Sequence, residues 1–168
     1  SVHAGVSPDP IHGAIMTPIY QTSTYVQPAP GAPLSYDYSR GGNPTREALE
    51  GSLAGIENAK HAISFGSGLA AVQAVIQLAR PGDHVLVCDD VYGGTGRLFR
   101  RLYADYGIEF EFADLAVSAQ EMKALIRPNT RFVWIESPTN PLLKVIDIQH
   151  AAEAAHSVGA QLIVDNTF

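Results

Sequence analysis

A glycine turn between an apolar run and an alanine-rich segment is the stretch of this sequence best suited to hold an anion. The run 62–65 predicts a buried strand, the turn Gly66-Ser67-Gly68 breaks it, and the segment through Ala79 predicts a helix. The first N–H groups of a helix lack intrahelical partners and lie at the positive end of its dipole. Glycine also lets a ligand approach the backbone. The turn therefore predicts a phosphate site.

The same turn also matches a dinucleotide site. Gly66, Gly68 and Ala71 satisfy the G-x-G-x-x-A form of the dinucleotide fingerprint. Asp89 and Asp90 follow about twenty residues later, where an acidic residue would bind a ribose. Small residues in such a turn are equally typical of close helix–strand packing without a ligand. The turn alone leaves open an NAD(P)-binding oxidoreductase, a different phosphate site and simple packing.

Strands and helices alternate from residue 62 onward. The apolar runs predict strands near residues 62–65, 84–88, 108–112, 131–136 and 161–165. The segments between them predict helices near residues 67–79, 94–106, 118–127 and 147–158. This alternation predicts an α/β fold with a mostly parallel, doubly wound sheet covered on both faces. Such sheets bind ligands at the carboxyl ends of their strands.

Polar residues follow the predicted strands and would face one crevice at that edge. They lie in the segments 66–68, 89–95, 136–141 and 165–167. Together they offer an anion site, the aromatic ring of Tyr92, the amide of Asn140 and the carboxylate of Asp165. Taken singly, each also suits a structural role, such as a helix cap for Asp165 or a half-buried loop ring for Tyr92. Trp134 alternates with apolar neighbours and is predicted to lie in the core.

The composition excludes several partner classes. The chain has 168 residues, of which 46% are hydrophobic and 17% charged, and a net charge of −6. This balance predicts a globular chain without a nucleic-acid partner. Apolar runs stay below the roughly 18 residues of a membrane helix, and the histidines show no metal-ligand spacing, so neither a membrane nor a metal is expected. Cys88 lies in an apolar run, which predicts a buried thiol and a reducing, cytoplasmic setting.

The first part of the chain has the composition of an extended arm. Residues 1–36 are rich in Pro, Gly, Ser and Thr and show no sustained period. Such an arm packs on its own domain or on a neighbouring subunit. A helix then begins at Asn43 and Pro44, preceded by Tyr38 and Arg40, which suit a phosphate. We predict an arm and loop over residues 1–46, packed on their own domain or on a neighbouring subunit, and the first part of an α/β domain over residues 47–168.

Five motifs together resemble one enzyme family. They are YSRGGNPTR (38–46), FGSGLAA (65–71), DDVYGGT (89–95), WIESPTNP (134–141) and VDNTF (164–168). The motifs and their order resemble those of the pyridoxal-phosphate (PLP) enzymes of cysteine and methionine metabolism, such as cystathionine γ-lyase and cystathionine γ-synthase. The resemblance implies the large-domain fold of aspartate-aminotransferase-type (fold type I) enzymes, with PLP as the cofactor. It favours this cofactor over a dinucleotide.

The resemblance implies two groups of residues around the cofactor phosphate. Gly68 and Leu69 would hold it through their N–H groups, with Ser67 in the same turn. Tyr38 and Arg40 match the pair that, in this family, enters the neighbouring subunit's site and binds its phosphate.

Other matched residues would contact the cofactor ring. Tyr92 matches the tyrosine that stacks on the ring and assists proton transfer, so it is also the candidate catalytic residue. Asn140 matches the amide near the phenolic oxygen, and Asp165 the carboxylate paired with the ring nitrogen. Thr167, in the same motif as Asp165, completes the predicted cofactor-binding set.

The amino-acid sequences of the motifs are most similar to those of cystathionine γ-lyase. The resemblance implies γ-elimination from cystathionine to give cysteine, 2-oxobutanoate and ammonia, with γ-replacement by a cystathionine γ-synthase as the alternative. Methionine γ-lyases tend to carry cysteine at the position of Gly94. The family also implies an amino-acid substrate and a homotetramer built from dimers that share active sites.

One feature departs from the family pattern. The lysine to which this family attaches its cofactor is expected after the VDNTF motif, and Lys60, Lys123 and Lys144 do not match it. We therefore expect the 168 residues to need further polypeptide, and not to form a stable monomer alone. A noncatalytic dimerisation fragment and an NAD(P)-dependent oxidoreductase are the alternatives from other classes.

Overall fold

The computed structural model describes residues 3–168 and contains two compact units. The first unit ends at Gly66, and the second is Ser67–Phe168. The helices are α1 (Pro44–Ile56), α2 (Gly68–Ile76), α3 (Gly93–Arg101), α4 (Ala119–Leu125) and α5 (Ile148–His156), with a 3₁₀ helix at Tyr103–Tyr106. The strands are β1 (His84–Cys88), β2 (Glu109–Ala113), β3 (Thr130–Glu136) and β4 (Gln161–Asp165).

The second unit is built on a parallel sheet in the order β2-β1-β3-β4. Its two central strands are apolar and almost entirely buried, as expected for strands covered on both faces. The edge strands β2 and β4 are only partly buried. The predicted α/β fold with a parallel sheet is confirmed.

Aromatic side chains fill the core beside β1 and β3. Phe99 stacks on Phe110 with ring centroids 4.7 Å apart and meets Trp134 edge to face at 5.1 Å. Trp134 and Cys88 are buried, as predicted. These contacts fix α3 on the sheet and so place the loop that precedes it.

Local capping signals set the helix starts. Asn43 caps α1 and Pro44 is its first residue. Ser118 and Glu121 form the predicted capping box of α4, and Asp147 caps α5 by accepting the His150 N–H. The helix predicted over 94–106 is divided, because Leu102 leaves the helical region at φ −121° and a 3₁₀ turn follows.

The strand predicted at residues 62–65 is wrong. Among the described residues this segment pairs with no strand, and the sheet has four strands rather than five. Ile63 is 73% exposed and Phe65 is 45% exposed. The Ser64 N–H and hydroxyl instead donate to Glu50 Oε1 at 2.9 and 2.8 Å. The apolar run indicated burial, but a strand also needs a partner edge, which its composition does not reveal.

The first unit has little buried apolar surface of its own. Helix α1 has no buried residue, and the arm before it is irregular, with isolated bridges Thr24↔Tyr38 and Ala29↔Ala32. Its large apolar side chains are exposed, including Ile11, Ile15, Met16, Ile19, Val26 and Leu34. This exposure is the property expected of an arm that packs against another surface.

Residues 3–168 contain neither a membrane-spanning helix nor a cluster of side chains for a metal ion. None of the helices there is both long and apolar enough to cross a membrane. In that same part of the chain, no cluster of His, Cys, Asp and Glu side chains is arranged to hold a metal ion.

Candidate active-site cavity

A cavity of about 330 Å³ lies at the carboxyl edge of the sheet in the second unit. This volume suits a small ligand or cofactor. Every predicted site residue of the second unit lines it, from the turn before α2 to the end of β4. The lining residues are Ser67, Gly68, Leu69, Val72, Tyr92, Thr95, Glu136, Pro138, Asn140, Asp165, Thr167 and Phe168. The crevice rule for parallel sheets therefore located the cavity correctly.

The start of α2 presents free N–H groups to this cavity. Ser67 is the N-cap, and its hydroxyl accepts the Ala70 N–H at 3.2 Å. The Gly68 and Leu69 N–H groups have no partner within residues 3–168. A Cβ at Gly66 or Gly68 would meet nothing within 4 Å, so this turn leaves space beside the N–H groups. The turn has the geometry of an anion site.

Tyr92 lies directly before α3 and is 47% exposed. Its N–H donates to Glu136 Oε1 at 2.7 Å, which holds the loop between β1 and α3. A Cβ on Gly94 would lie 2.4 Å from the Tyr92 ring. In this structure the ring therefore occupies the space that a side chain at position 94 would take.

Asp165 ends β4 and is half-buried at the cavity wall. Its Oδ1 accepts the Thr167 hydroxyl at 2.5 Å and the Thr167 N–H at 3.2 Å. Within the described chain, Oδ2 has no hydrogen-bond partner. Thr167 thus orients the carboxylate and leaves one oxygen for a ligand.

Asn140 lies in the loop after β3 and lines the same cavity as Asp165. Its side-chain amide makes no hydrogen bond to the residues that the structure describes, while its N–H donates to Glu136 Oε2 at 3.3 Å. The Asn166 side chain donates to the Ser137 carbonyl and joins the loops after β3 and β4. The amide is therefore held by its backbone and keeps both polar atoms for a ligand.

Glu136 lines the cavity and lies in a segment predicted to face it, but the predicted site gave it no role. It is 3% exposed and accepts the N–H groups of both Tyr92 and Asn140. Burial raises the pKa of its carboxyl, the N–H donated by Tyr92 opposes that shift, and the nearby Asp165 carboxylate adds to it. An acidic residue at the end of the otherwise apolar strand FVWIE was the available signal.

Thr95 is a second lining residue to which the predicted site gave no role. Its side chain is fully buried in the first turn of α3, and its hydroxyl has no hydrogen-bond partner among the described residues. Buried hydroxyl groups are usually paired. The DDVYGGT motif contains this residue but gave no reason to separate it from the glycines beside it.

The two acidic residues after β1 have structural partners. Asp90 Oδ2 accepts the Thr139 hydroxyl at 2.5 Å and the Leu142 N–H at 2.8 Å. Asp89 is bound to the Lys144 ammonium group at 3.1 Å. Neither aspartate lines the cavity. The acid expected for a dinucleotide ribose is therefore engaged elsewhere, which weakens the dinucleotide interpretation.

Tyr38 and Arg40 lie in the first unit, beside an open groove. The Arg40 guanidinium lies 4.9 Å from the centre of the Tyr38 ring. Arg46 fixes this loop by donating to the carbonyls of Ser39 and Gly41, each at 3.0 Å. Arg40 makes no ion pair in the part of the chain that the structure describes. The loop therefore presents a positive charge that lies over the Tyr38 ring but is not paired with a carboxylate of the described residues.

Three comparisons place these residues among known proteins. The family model "Cys/Met metabolism PLP-dependent enzyme" matches residues 1–168. The chain is 51% identical to a cystathionine gamma-lyase of Dictyostelium discoideum, covering 99% of this chain and 43% of that protein. It is 49% identical to a probable cystathionine gamma-synthase of Herpetosiphon aurantiacus, covering 100% of this chain and 52% of that protein.

A solved structure agrees with these relatives. The crystal structure of metB from Corynebacterium glutamicum superposes with a TM-score of 0.93 at 43% identity, over 99% of this chain and 44% of that one. The chain thus spans about half the length of the relatives it matches, or somewhat less.

Proposed function

Because the chain belongs to the Cys/Met metabolism PLP-dependent enzyme family, we propose that it is part of a lyase acting on cystathionine. The reaction is γ-elimination, in which cystathionine and water give cysteine, 2-oxobutanoate and ammonia. The observation that carries the proposal is the cavity itself, where free N–H groups, an aromatic ring, an amide and a carboxylate converge.

The residues of the cavity fit PLP, which is a flat ring bearing a phosphate, a phenolic oxygen and a ring nitrogen. The free N–H groups of Gly68 and Leu69 suit the phosphate, with Ser67 beside them. When bound, the cofactor supplies a ring that accepts the electrons left after a proton leaves the substrate's α-carbon. The protein must therefore position this ring and control protons around it.

Asp165 and Asn140 would set the electronic state of the ring. The free Oδ2 of Asp165 would pair with the ring nitrogen, because a carboxylate favours a protonated nitrogen beside it. The Asn140 amide would donate to the phenolic oxygen. Thr167 keeps the Asp165 carboxylate in its orientation through the hydroxyl bond at 2.5 Å.

Tyr92 would stack on the ring and serve as the catalytic proton carrier. Its exposed phenol ring lines the cavity, and its backbone is fixed by Glu136. A tyrosine in this place would suit both functions, since its ring face would cover the cofactor and its hydroxyl would carry a proton during the reaction.

Tyr38 and Arg40 would bind the phosphate held by a neighbouring subunit. The support is the loop that presents Arg40 without a local ion pair, together with the exposed apolar arm before it. We accordingly place residues 1–46 at a subunit contact and residues 47–168 in the cofactor domain. The proposed assembly is a homotetramer of dimers that share active sites, and its proposed location is the cytoplasm.

The alternative is a cystathionine γ-synthase, which joins cysteine to an activated homoserine. The relative from Herpetosiphon aurantiacus bears that name at 49% identity, close to the 51% of the lyase. Both reactions would use the same cofactor-binding residues of this chain. The two relatives are also almost equally identical to it, so sequence identity does not distinguish the lyase from the synthase.

The deciding experiment uses the full-length enzyme loaded with PLP. One assay supplies cystathionine and measures cysteine and 2-oxobutanoate, and the other supplies an activated homoserine ester with cysteine and measures cystathionine. Turnover of cystathionine is expected. Turnover in the second assay alone would replace the lyase by the synthase, and a protein that binds no PLP would overturn both.

A further inference from the structure

Glu136 joins two loops of the cavity through the two oxygens of a single carboxyl group. Oε1 accepts the Tyr92 N–H at 2.7 Å, and Oε2 accepts the Asn140 N–H at 3.3 Å. Tyr92 belongs to the loop after β1 and Asn140 to the loop after β3. The two residues held in this way are those whose side chains line the cavity with a ring and an amide.

The position of Glu136 is unfavourable for a residue with only a packing role. The side chain is 3% exposed and forms no ion pair with the residues that the structure describes. In the sheet it is aligned with Asp165, a second carboxylate, and their repulsion contributes to its raised pKa after burial itself. An apolar side chain would avoid both costs. These costs are offset by the hydrogen bonds that the carboxyl group accepts from the Tyr92 and Asn140 N–H groups.

We propose that Glu136 is a positioning residue that holds the Tyr92 ring and the Asn140 amide at their places around the cofactor. The inference rests on the proposed function, since it assigns these two side chains to the ring. Glu136 itself acts through the backbone of both loops. It sets the separation between a stacking residue and a residue that hydrogen-bonds the ring.

The two-oxygen geometry allows an isosteric test. Glutamine has the shape of glutamate but only one acceptor oxygen, so Glu136→Gln can accept one of the two N–H groups and directs its own NH₂ at the other. Glu136→Asp keeps both oxygens and the charge on a shorter side chain, which cannot span both loops. Glu153→Gln makes the same change of charge on the exposed side of α5 and is the matched control.

The first measurement is amide hydrogen exchange in the full-length, cofactor-free enzyme. In Glu136→Gln, we expect exchange at Tyr92, Asn140 or both to accelerate about tenfold or more, as for the loss of a hydrogen bond to a charged group. The Leu142 N–H, which Asp90 holds at 2.8 Å, is the internal reference and should not change. Unchanged exchange at Tyr92 and Asn140 would overturn the positioning role.

The second measurement uses the PLP-loaded enzyme. In Glu136→Gln, we expect altered visible circular dichroism of the bound cofactor and about a tenfold lower kcat, with a smaller change in KM. Glu153→Gln should match the wild type in both. A Glu136→Gln enzyme with wild-type dichroism and kcat would contradict the proposal. If Glu136→Gln does not fold, the same exchange and dichroism measurements on Glu136→Asp decide.

The two proposals fail in different ways. A wild-type protein that takes up no PLP would overturn the proposed function, whereas the exchange experiment needs no cofactor and still decides whether Glu136 holds the two loops. A loaded, active wild type with an unaffected Glu136→Gln variant would remove only the positioning role.

Discussion

Polar groups at the two ends of the strands in the parallel sheet differ in whether they have hydrogen-bond partners. The amino edge is the side of the sheet at which the strands begin, and the carboxyl edge is the side at which they end. At the amino edge, Thr130 bonds His84 Nδ1 at 2.8 Å and accepts the Arg127 N–H at 2.8 Å, and Arg127 pairs with Glu109 and Glu111. At the carboxyl edge, Asp165 Oδ2 and the Asn140 amide have no partner among residues 3–168. Apart from His84 Nε2, which has no hydrogen-bond partner among the described residues, these amino-edge groups are paired internally, whereas Asp165 Oδ2 and the Asn140 amide remain available for a ligand. Substitutions at the amino edge should therefore affect stability, and those at the carboxyl edge should affect activity.

The largest expected effect is at Asp165. In the full-length enzyme, Asp165→Asn keeps an acceptor for Thr167 but removes the charge proposed to pair with the ring nitrogen. We expect kcat to fall about a thousandfold, as for the loss of a major electrostatic contact, with little change in thermal stability. Asp114→Asn, on an exposed ion pair with Lys144, is the control and should keep its kcat. A kcat for Asp165→Asn within about threefold of wild type would break the contrast between the edges.

The next effect concerns the Tyr92 ring. Gly94→Ala places a Cβ 2.4 Å from the ring and must displace it. A displacement of this kind is expected to reduce kcat about a hundredfold. In the control Gly93→Ala, the new Cβ meets only the flexible Arg97 side chain at 3.3 Å, so its kcat should stay near wild type. Equal losses of kcat in the two variants would mean that kcat depends on the backbone at the start of α3 rather than on the position of the Tyr92 ring.

At the amino edge, Thr130→Val tests stability. The substitution conserves shape but leaves His84 Nδ1 and the Arg127 N–H without their partner. We expect the free energy of unfolding to fall by about 2 kcal/mol, measured by urea denaturation of the full-length enzyme at fixed concentration. Activity per folded molecule should be retained. A loss of kcat with unchanged stability would reverse the assignment of the two edges.

The buried His84 predicts a pH dependence of stability. Burial lowers its pKa, the Arg127 charge lowers it further, and Glu111 and Glu109 oppose the shift. The unfolded chain then binds a proton near pH 6.5 that the native protein excludes, so stability should decline as the pH falls below about 6.5. Denaturation midpoints between about pH 5 and 7 measure this slope. In His84→Asn the slope should become shallower, whereas in Asp165→Asn the His84 contribution should persist.

The smallest effect is expected from the exposed ion pair at the amino edge. Glu109 lies 3.3 Å from Arg127, and both side chains are about half exposed, at 55% and 47%. Glu109→Gln should change the free energy of unfolding by less than about 0.5 kcal/mol. A loss of unfolding free energy comparable to that of Thr130→Val would show that this exposed pair contributes as much to stability as the buried threonine does, contrary to the prediction.

Local signals predicted most of the fold and of the cavity. Ser118 with Glu121, and Asp147 with its helix, are capping patterns within one turn of the chain. Tyr92 and Asn140 were placed together by the rule for parallel strands, which needs only the order of elements.

The prediction failed where a local structure or a side chain's role depends on a residue far away in the sequence. The run at 62–65 was predicted as a strand although no strand among the described residues pairs with it. Glu136 was omitted because its role depends on the Tyr92 N–H, 44 residues away. Neither dependence is visible in a window of neighbouring residues.

The free N–H groups at the start of α2 have a consequence for how this site tolerates sequence change. In the proposed anion site, Leu69 would contribute only its backbone N–H, and its side chain is 40% exposed. A mutational scan of the full-length enzyme should therefore record position 69 as permissive for many side chains, proline excepted at a position that must donate its N–H. The proposed contact would persist through such substitutions because the main chain, and not the side chain, would make it.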